Sequence, residues 1–183
     1  ASISAAERFA VGLAQGKQVN ADQSWTCDEA AIAGVVLSLR GLGALGAKVD
    51  LSQTTHFQTV LECLEKHTSA EIRNAATACV TSLCHGNVDA FTPMILGPLE
   101  GGETSKRGLQ ARVLQAIRKL ALQAGPKLDR SAFIPVLLAA TATASSEVRQ
   151  GVGQCLGNMV TDAETIADFA IRATASTDGA VTQ

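Results

Sequence analysis

Cys79, Cys84 and His85 are the residues whose types and closeness most resemble a site of chemistry, since thiolates and imidazole bind zinc. A structural zinc site needs four convergent ligands, usually carried on Cys-x(2–4)-Cys pairs. Here the two cysteines stand at the widest spacing of such a pair, four residues between them, but on a predicted helix, and no second pair exists. They read as small apolar residues packed in a core. His56 and His67 fall near helix ends, with no carboxylate or serine placed to form a catalytic pair. Residues 101–106, Gly-Gly-Glu-Thr-Ser-Lys, lack the spacing of a phosphate loop and follow a helix, so they read as a turn. No GxSxG or HExxH is present. The chain is expected to be non-enzymatic, with no cofactor and no metal.

The arginines are more informative because they recur. Glu71-Ile72-Arg73 followed by Cys79 returns further along as Glu147-Val148-Arg149 followed by Cys155. Leu109 opens a copy of the same apolar pattern between them, so the period is about 38 residues. Arg73 and Arg149 can be guanidinium forks offered to an acidic partner. They can also bond acidic side chains or carbonyls of the adjoining repeat, and this second reading is favoured. Opposite the core stripe, Arg40, Thr81, Arg118 and Gly157 take equivalent places on four successive helices, with Arg107 on the same face as Arg118. Arg40, Thr81, Arg107 and Arg118 are therefore the candidate protein-binding residues of a concave wall.

A period of about 38 residues is that of HEAT or armadillo helix pairs, each of which buries its apolar face only against its neighbours. The fold expected is all-α, a right-handed α-solenoid of about four HEAT-type helical hairpins plus one extra helix. The repeats run from about 4–46, 51–86, 89–125 and 129–160, with a half repeat at 162–175. Capping boxes are expected at Ser4/Glu7, Thr26/Glu29 and Thr68/Glu71. Residues 17–24 form a polar loop, a helix opens at Leu51-Ser52, and Pro93 and Pro135 sit in first helical turns. The second helices of the repeats should turn inward Ala31, Val35, Ser38, Leu39 and Leu42; Ile72, Ala76, Cys79, Val80 and Leu83; and Leu109, Val113, Ile117 and Leu120. Their glycines are Gly34, Gly41, Gly43, Gly151, Gly153 and Gly157. Each costs about 1 kcal/mol against Ala, part of which close helix contact recovers.

Composition agrees. Hydrophobic residues reach 46% while aromatics stay at 3%, a balance suited to close helix packing through Ala, Leu and Val. Alternating strand-forming runs are missing, which argues against a sheet. A net charge of −2 gives no nucleic-acid footprint. Charges such as Arg40 and Lys48 interrupt every apolar run, so no membrane association is expected. Five cysteines, an odd number, read as reduced thiols of a cytoplasmic and nuclear protein. Neither end carries an evident capping repeat, so residues 1–183 read as one segment of a longer solenoid. Self-association through apolar end faces, Phe9 and Val11 at one end and Phe169 and Ile171 at the other, is expected.

One ordered set of segments resembles a known family. It comprises Ser38-Leu39-Arg40-Gly41-Leu42-Gly43, Lys48-Val49-Asp50-Leu51-Ser52 and Val60-Leu61-Glu62. It continues through Ser69-x-Glu71-Ile72-Arg73-x-Ala75-Ala76, His85-Gly86-Asn87-Val88, Phe91-Thr92-Pro93, Lys106-Arg107 to Leu120, and Glu147-Val148-Arg149 to Cys155-Leu156-Gly157-Asn158. In order and spacing, over roughly residues 5 to 170, this is similar to the CAND proteins, the cullin-associated, neddylation-dissociated factors. The resemblance implies an interior slice of a HEAT solenoid that wraps a cullin–RING scaffold and drives exchange of substrate-receptor modules. The partner implied is a cullin–RING complex; the resemblance carries no contact residue onto this chain. A different HEAT scaffold, such as a nuclear transport receptor or a phosphatase scaffold segment, is the alternative.

Overall fold

The computed structural model describes residues 2–15, 17–100, 107–125, 128–143, 145–159 and 167, and these form an all-helical architecture apart from one short hairpin. In chain order the elements are α1 (Ser2–Gln15), β1 (Gln18–Val19), β2 (Trp25–Thr26), α2 (Glu29–Gly46) and α3 (His56–Lys66). There follow α4 (Ala70–Gly86), α5 (Val88–Glu100), α6 (Arg107–Ala124), α7 (Arg130–Thr143) and α8 (Ser146–Met159). The expected helix at 162–175, with Phe169 and Ile171, lies outside the described residues except at position 167.

Consecutive helices pair as α1 with α2, α3 with α4, α5 with α6 and α7 with α8. The even-numbered helices also form a row, α2 on α4, α4 on α6 and α6 on α8, while α1 touches α3 and α5 touches α7. Two layers result, and the core lies between them. Phe57 of α3 and Phe91 of α5 stack within it, ring centroids 4.8 Å apart, and neither is more than 1% exposed. The positions expected to face inward on α4 and α6 are buried, as are Val35, Leu39 and Leu42 of α2, while Ala31 and Ser38 at the edge of its stripe are half-buried; apolar spacing at three and four residues puts one stripe against the partner layer. By length and composition α2 could also cross a membrane, Arg40 notwithstanding, at mean hydropathy 1.4. Here its Val35, Leu39 and Leu42 are buried within the helical core.

The row is close-set where glycine allows it. A side-chain carbon added to Gly43 would lie 3.2 Å from the Cys79 Cα, and one on Gly46 would meet the Leu83 side chain. Gly41 lies under the Phe9 ring and Gly151 against Leu114. Gly34, Gly153 and Gly157 have nothing near them, so the expected close contact does not explain those three. Gly125 ends α6 at φ +52°, the left-handed conformation that glycine adopts without strain.

Several boundaries differ from expectation, each for a local reason. Ser4 lies inside α1, which begins at Ser2. Asp28, not Thr26, precedes α2, and Thr26 belongs to a two-stranded hairpin in which Gln18 faces Thr26 and Val19 faces Trp25. Such short strands show no alternation in sequence. The cap of α4 is Ser69, whose hydroxyl accepts from the Ile72 N–H at 3.4 Å. Its neighbour Thr68 instead donates through N–H (2.8 Å) and Oγ1 (3.1 Å) to the Trp25 carbonyl. Leu51 and Ser52 form a turn and α3 starts at His56. Asp50 Oδ1 accepts from the Ser52 N–H at 2.8 Å and so competes with helix formation. Pro93 and Pro135 are each the sixth residue of their helix, in the second turn. Both are exposed, so the carbonyl each leaves unbonded lies on the water side.

Trp25 fastens the hairpin to the row. Its ring is buried, with Lys17 Nζ 3.5 Å from the ring centroid and Lys66 Nζ at 5.4 Å, both within reach of a cation–π contact. Its backbone bridges to His67. His67 Nδ1 accepts from the Ser69 N–H at 3.2 Å. Burial, and then the nearby Arg73 charge, push the His67 pKa below its ordinary value.

Candidate functional site

The even-numbered row carries the candidate residues, and its seams differ. Between α4 and α6, Thr81 Oγ1 donates to the Thr77 carbonyl at 3.0 Å and to the Ala116 carbonyl across the seam at 3.4 Å. Thr81 is 2% exposed. The expectation that it faces a partner therefore fails: a helix inside a row has neighbours on two sides, and Thr81 points at the second one.

Between α6 and α8 the seam opens into a groove of about 400 Å³. Gly108, Ala111 and Leu114 of α6 and Gly151 of α8 form its small or apolar floor; Arg112, Gln115, Arg118, Glu147 and Gln154 supply its polar groups. Arg118 is half-buried. Its Nη1 donates to Gln154 Oε1 at 2.9 Å, and its Nε is buried with no hydrogen-bond partner among the described residues. Arg112 is held below the usual guanidinium range by burial and then by the Arg73 charge, while Glu147 opposes that shift. Beneath the groove Cys155 Sγ donates to the Leu114 carbonyl at 3.1 Å, tying α8 to α6.

The other candidates lie apart from this groove. Arg40 is exposed on α2, at the far end of the row. Arg107 is the first residue of α6, and its side chain lies outside the described residues. Arg73 behaves as a structural arginine. Its Nη1 donates to the His67 and Thr68 carbonyls, both at 2.7 Å, and so clamps the loop before α4. Arg112, Gln115 and Gln154 were not singled out by sequence, and Glu147 only as a marker of the repeat. The repeat could have found one of them, since Gln154 stands about one repeat length after Arg118 and bonds it.

Four of the five thiols are sealed in the core, and Cys27 is half-buried. Cys63, Cys79, Cys84 and Cys155 are buried. Desolvation raises Cys63 to about 11 and Cys155 to about 12, which leaves both as inert thiols. Cys79 and Cys84 are pushed up further by the same cause. Among the described residues no group of three His, Cys, Asp or Glu side chains converges as a metal site would require. On the other layer, a cleft between α5 and α7 of about 540 Å³ is lined by Asp89, Glu100 and Asp129 with Leu96 and Val136. The Asp129 carboxylate there is engaged by its own turn, accepting from Ser131 Oγ at 2.6 Å.

Comparison with known proteins returns no matching family model, no similar curated protein and no similar solved structure.

Proposed function

We propose that this chain is a non-enzymatic protein-binding scaffold, a right-handed HEAT-type α-solenoid segment of a cullin-binding exchange factor that regulates assembly of cullin–RING ubiquitin ligases. The observation that carries the scaffold reading is the row α2, α4, α6, α8, each pair backed by odd-numbered helices. Its helices follow one another at the spacing of the sequence repeat, about 38 residues. Equivalent contacts recur along it. Ser69 and Ser145, two repeats apart, cap α4 and α8 in the same way, each accepting from the backbone N–H three residues on at 3.4 Å. A row of this kind presents one long face whose side chains can vary without disturbing the core, and binding energy spreads over many repeats. The cullin assignment rests on the ordered resemblance to the CAND proteins.

Affinity capture from the source cell's lysate, using the full-length protein, tests it. An unmodified cullin with its RING partner among the bound proteins supports the proposal. Transport or phosphatase subunits in their place would leave a HEAT scaffold of another kind.

A further inference from the structure

We infer that the groove between α6 and α8 is a docking site for an acidic segment of a protein partner, with a carboxylate seated against Arg112 and Arg118. The inference rests on the scaffold reading and gives it a location and a chemistry.

Three features of the groove select that occupant. Its charged lining is two guanidiniums against one carboxylate, Glu147, so its charge balance favours an anion. Arg118 is a fork only partly used. Gln154 takes Nη1 and holds the guanidinium in one orientation, while Nε, buried beside it, has hydrogen-bonding capacity left over. An unmet buried donor on a charged group is costly, and a carboxylate oxygen relieves that cost better than a neutral acceptor. Arg112 is destabilised as a cation by burial and by Arg73, and a second negative charge beside Glu147 would offset both. Gln115 and Gln154 line the groove too and add neutral amides able to bond a peptide backbone. The volume of about 400 Å³ suits one or two side chains and their backbone rather than a folded surface.

The test uses the full chain and a fluorescent ten-residue peptide alternating Glu and Ser, with a Gln-for-Glu peptide as comparison. The Glu peptide should bind measurably at low salt and the Gln peptide should not. Arg118→Gln and Arg112→Gln should each weaken binding about fivefold or more. Arg8→Gln removes the same charge from an exposed position on α1, outside the groove lining, and should leave Kd within about twofold. Arg118→Lys keeps the charge and loses the fork, so it should fall between wild type and Arg118→Gln and covers the case in which that variant misfolds. Equal binding of the Gln peptide, or equal weakening by Arg8→Gln, would overturn the inference. So would displacement of the peptide by equimolar inorganic phosphate, since that marks a general anion site. Failure of the Glu peptide to bind would sink the groove while leaving cullin capture by the full-length protein untouched. Failed cullin capture with an intact peptide result would do the reverse.

Discussion

Thr81 and Arg118 are each the twelfth residue of their helix, α4 and α6, and each reaches across to the next even-numbered helix. Thr81 closes its seam. The hydroxyl is short, finds two carbonyls, and lets α4 and α6 meet around it. Arg118 is long and charged, lies in a lining shared with the small residue Gly151, and keeps part of itself in water, so its seam stays open by about 400 Å³. The same register position seals one seam and, in the binding role proposed for Arg118, serves an open groove at the next. Repeat architecture fixes where a side chain points; its size and charge decide whether two helices seal or leave a groove.

Transplanting the difference gives the largest effect. Thr81→Arg puts a guanidinium where no solvent or carboxylate waits, which should cost on the order of 4 kcal/mol or more. Urea unfolding followed by circular dichroism reads it. A variant that unfolds at the wild-type midpoint would show that the α4–α6 seam opens as readily as its neighbour.

The α2–α4 seam is sealed by backbone rather than by a hydroxyl. An added carbon on Gly86 would lie 3.0 Å from the Gly46 carbonyl carbon and 3.5 Å from the Ala47 Cα, with the Gly46 carbonyl oxygen nearer still. Gly→Ala at a helix end ordinarily stabilises through the unfolded chain by roughly 0.4–1 kcal/mol. Here the neighbours are main-chain atoms with nowhere to go, so the overpacking term wins and Gly86→Ala should destabilise by about 1–3 kcal/mol. A raised melting temperature in that variant would contradict the close approach.

These contrasts also show which features were legible in the sequence. The helices and their inward stripes were, because three-and-four spacing of Leu, Val, Ile and Cys survives in any packed helix. Cap positions slipped by one at α4, since Thr68 and Ser69 are equally good caps locally and only the distant Trp25 carbonyl separates them. Thr81 was misplaced because a helical wheel has one inside, whereas a helix within a row has two. Arg118 was found, but its partners Gln154, Arg112 and Glu147 come from a neighbouring helix or a different turn, and spacing within one helix holds no record of them. The hairpin was invisible. Two-residue strands are made by Trp25 and its contacts to Lys17 and the loop after α3, not by any local alternation.

Acid should separate the sealed end of the row from the grooved end. His67 lies buried before α4, its Nδ1 accepting from Ser69 N–H and Arg73 close by, so its folded pKa stands below the ordinary 6.5. Above that value both folded and unfolded chains carry the neutral ring and the contact contributes fully. As pH falls below the ordinary 6.5 the unfolded chain takes the proton first, so stability is lost with acidification. The melting temperature of wild type should therefore fall between about pH 7.5 and 5.5 by more than that of His67→Gln. Parallel lines for the two proteins would remove His67 from the sealed end's stability.

The smallest stability effect belongs to the residue assigned the most functional weight. Arg118→Thr gives α6 the side chain that α4 has at this register. The change loses one bond to Gln154 and the packing of the arginine stem, both destabilising. It also removes a charged group with an unmet buried donor, which stabilises. The two terms are of similar size, about 1 kcal/mol each, so the net change in unfolding free energy should stay within about 0.5 kcal/mol. If the seam then closes as the Thr81 seam does, peptide binding disappears while the unfolding midpoint hardly moves. A large loss of stability would instead make Arg118 a structural arginine like Arg73, whose Nη1 holds the His67 and Thr68 carbonyls although its Nε, like that of Arg118, is buried without a partner among the described residues. Stability and binding measured on the same variant thus decide whether the open seam is a tolerated gap in the packing or the surface for which the helices are held in place.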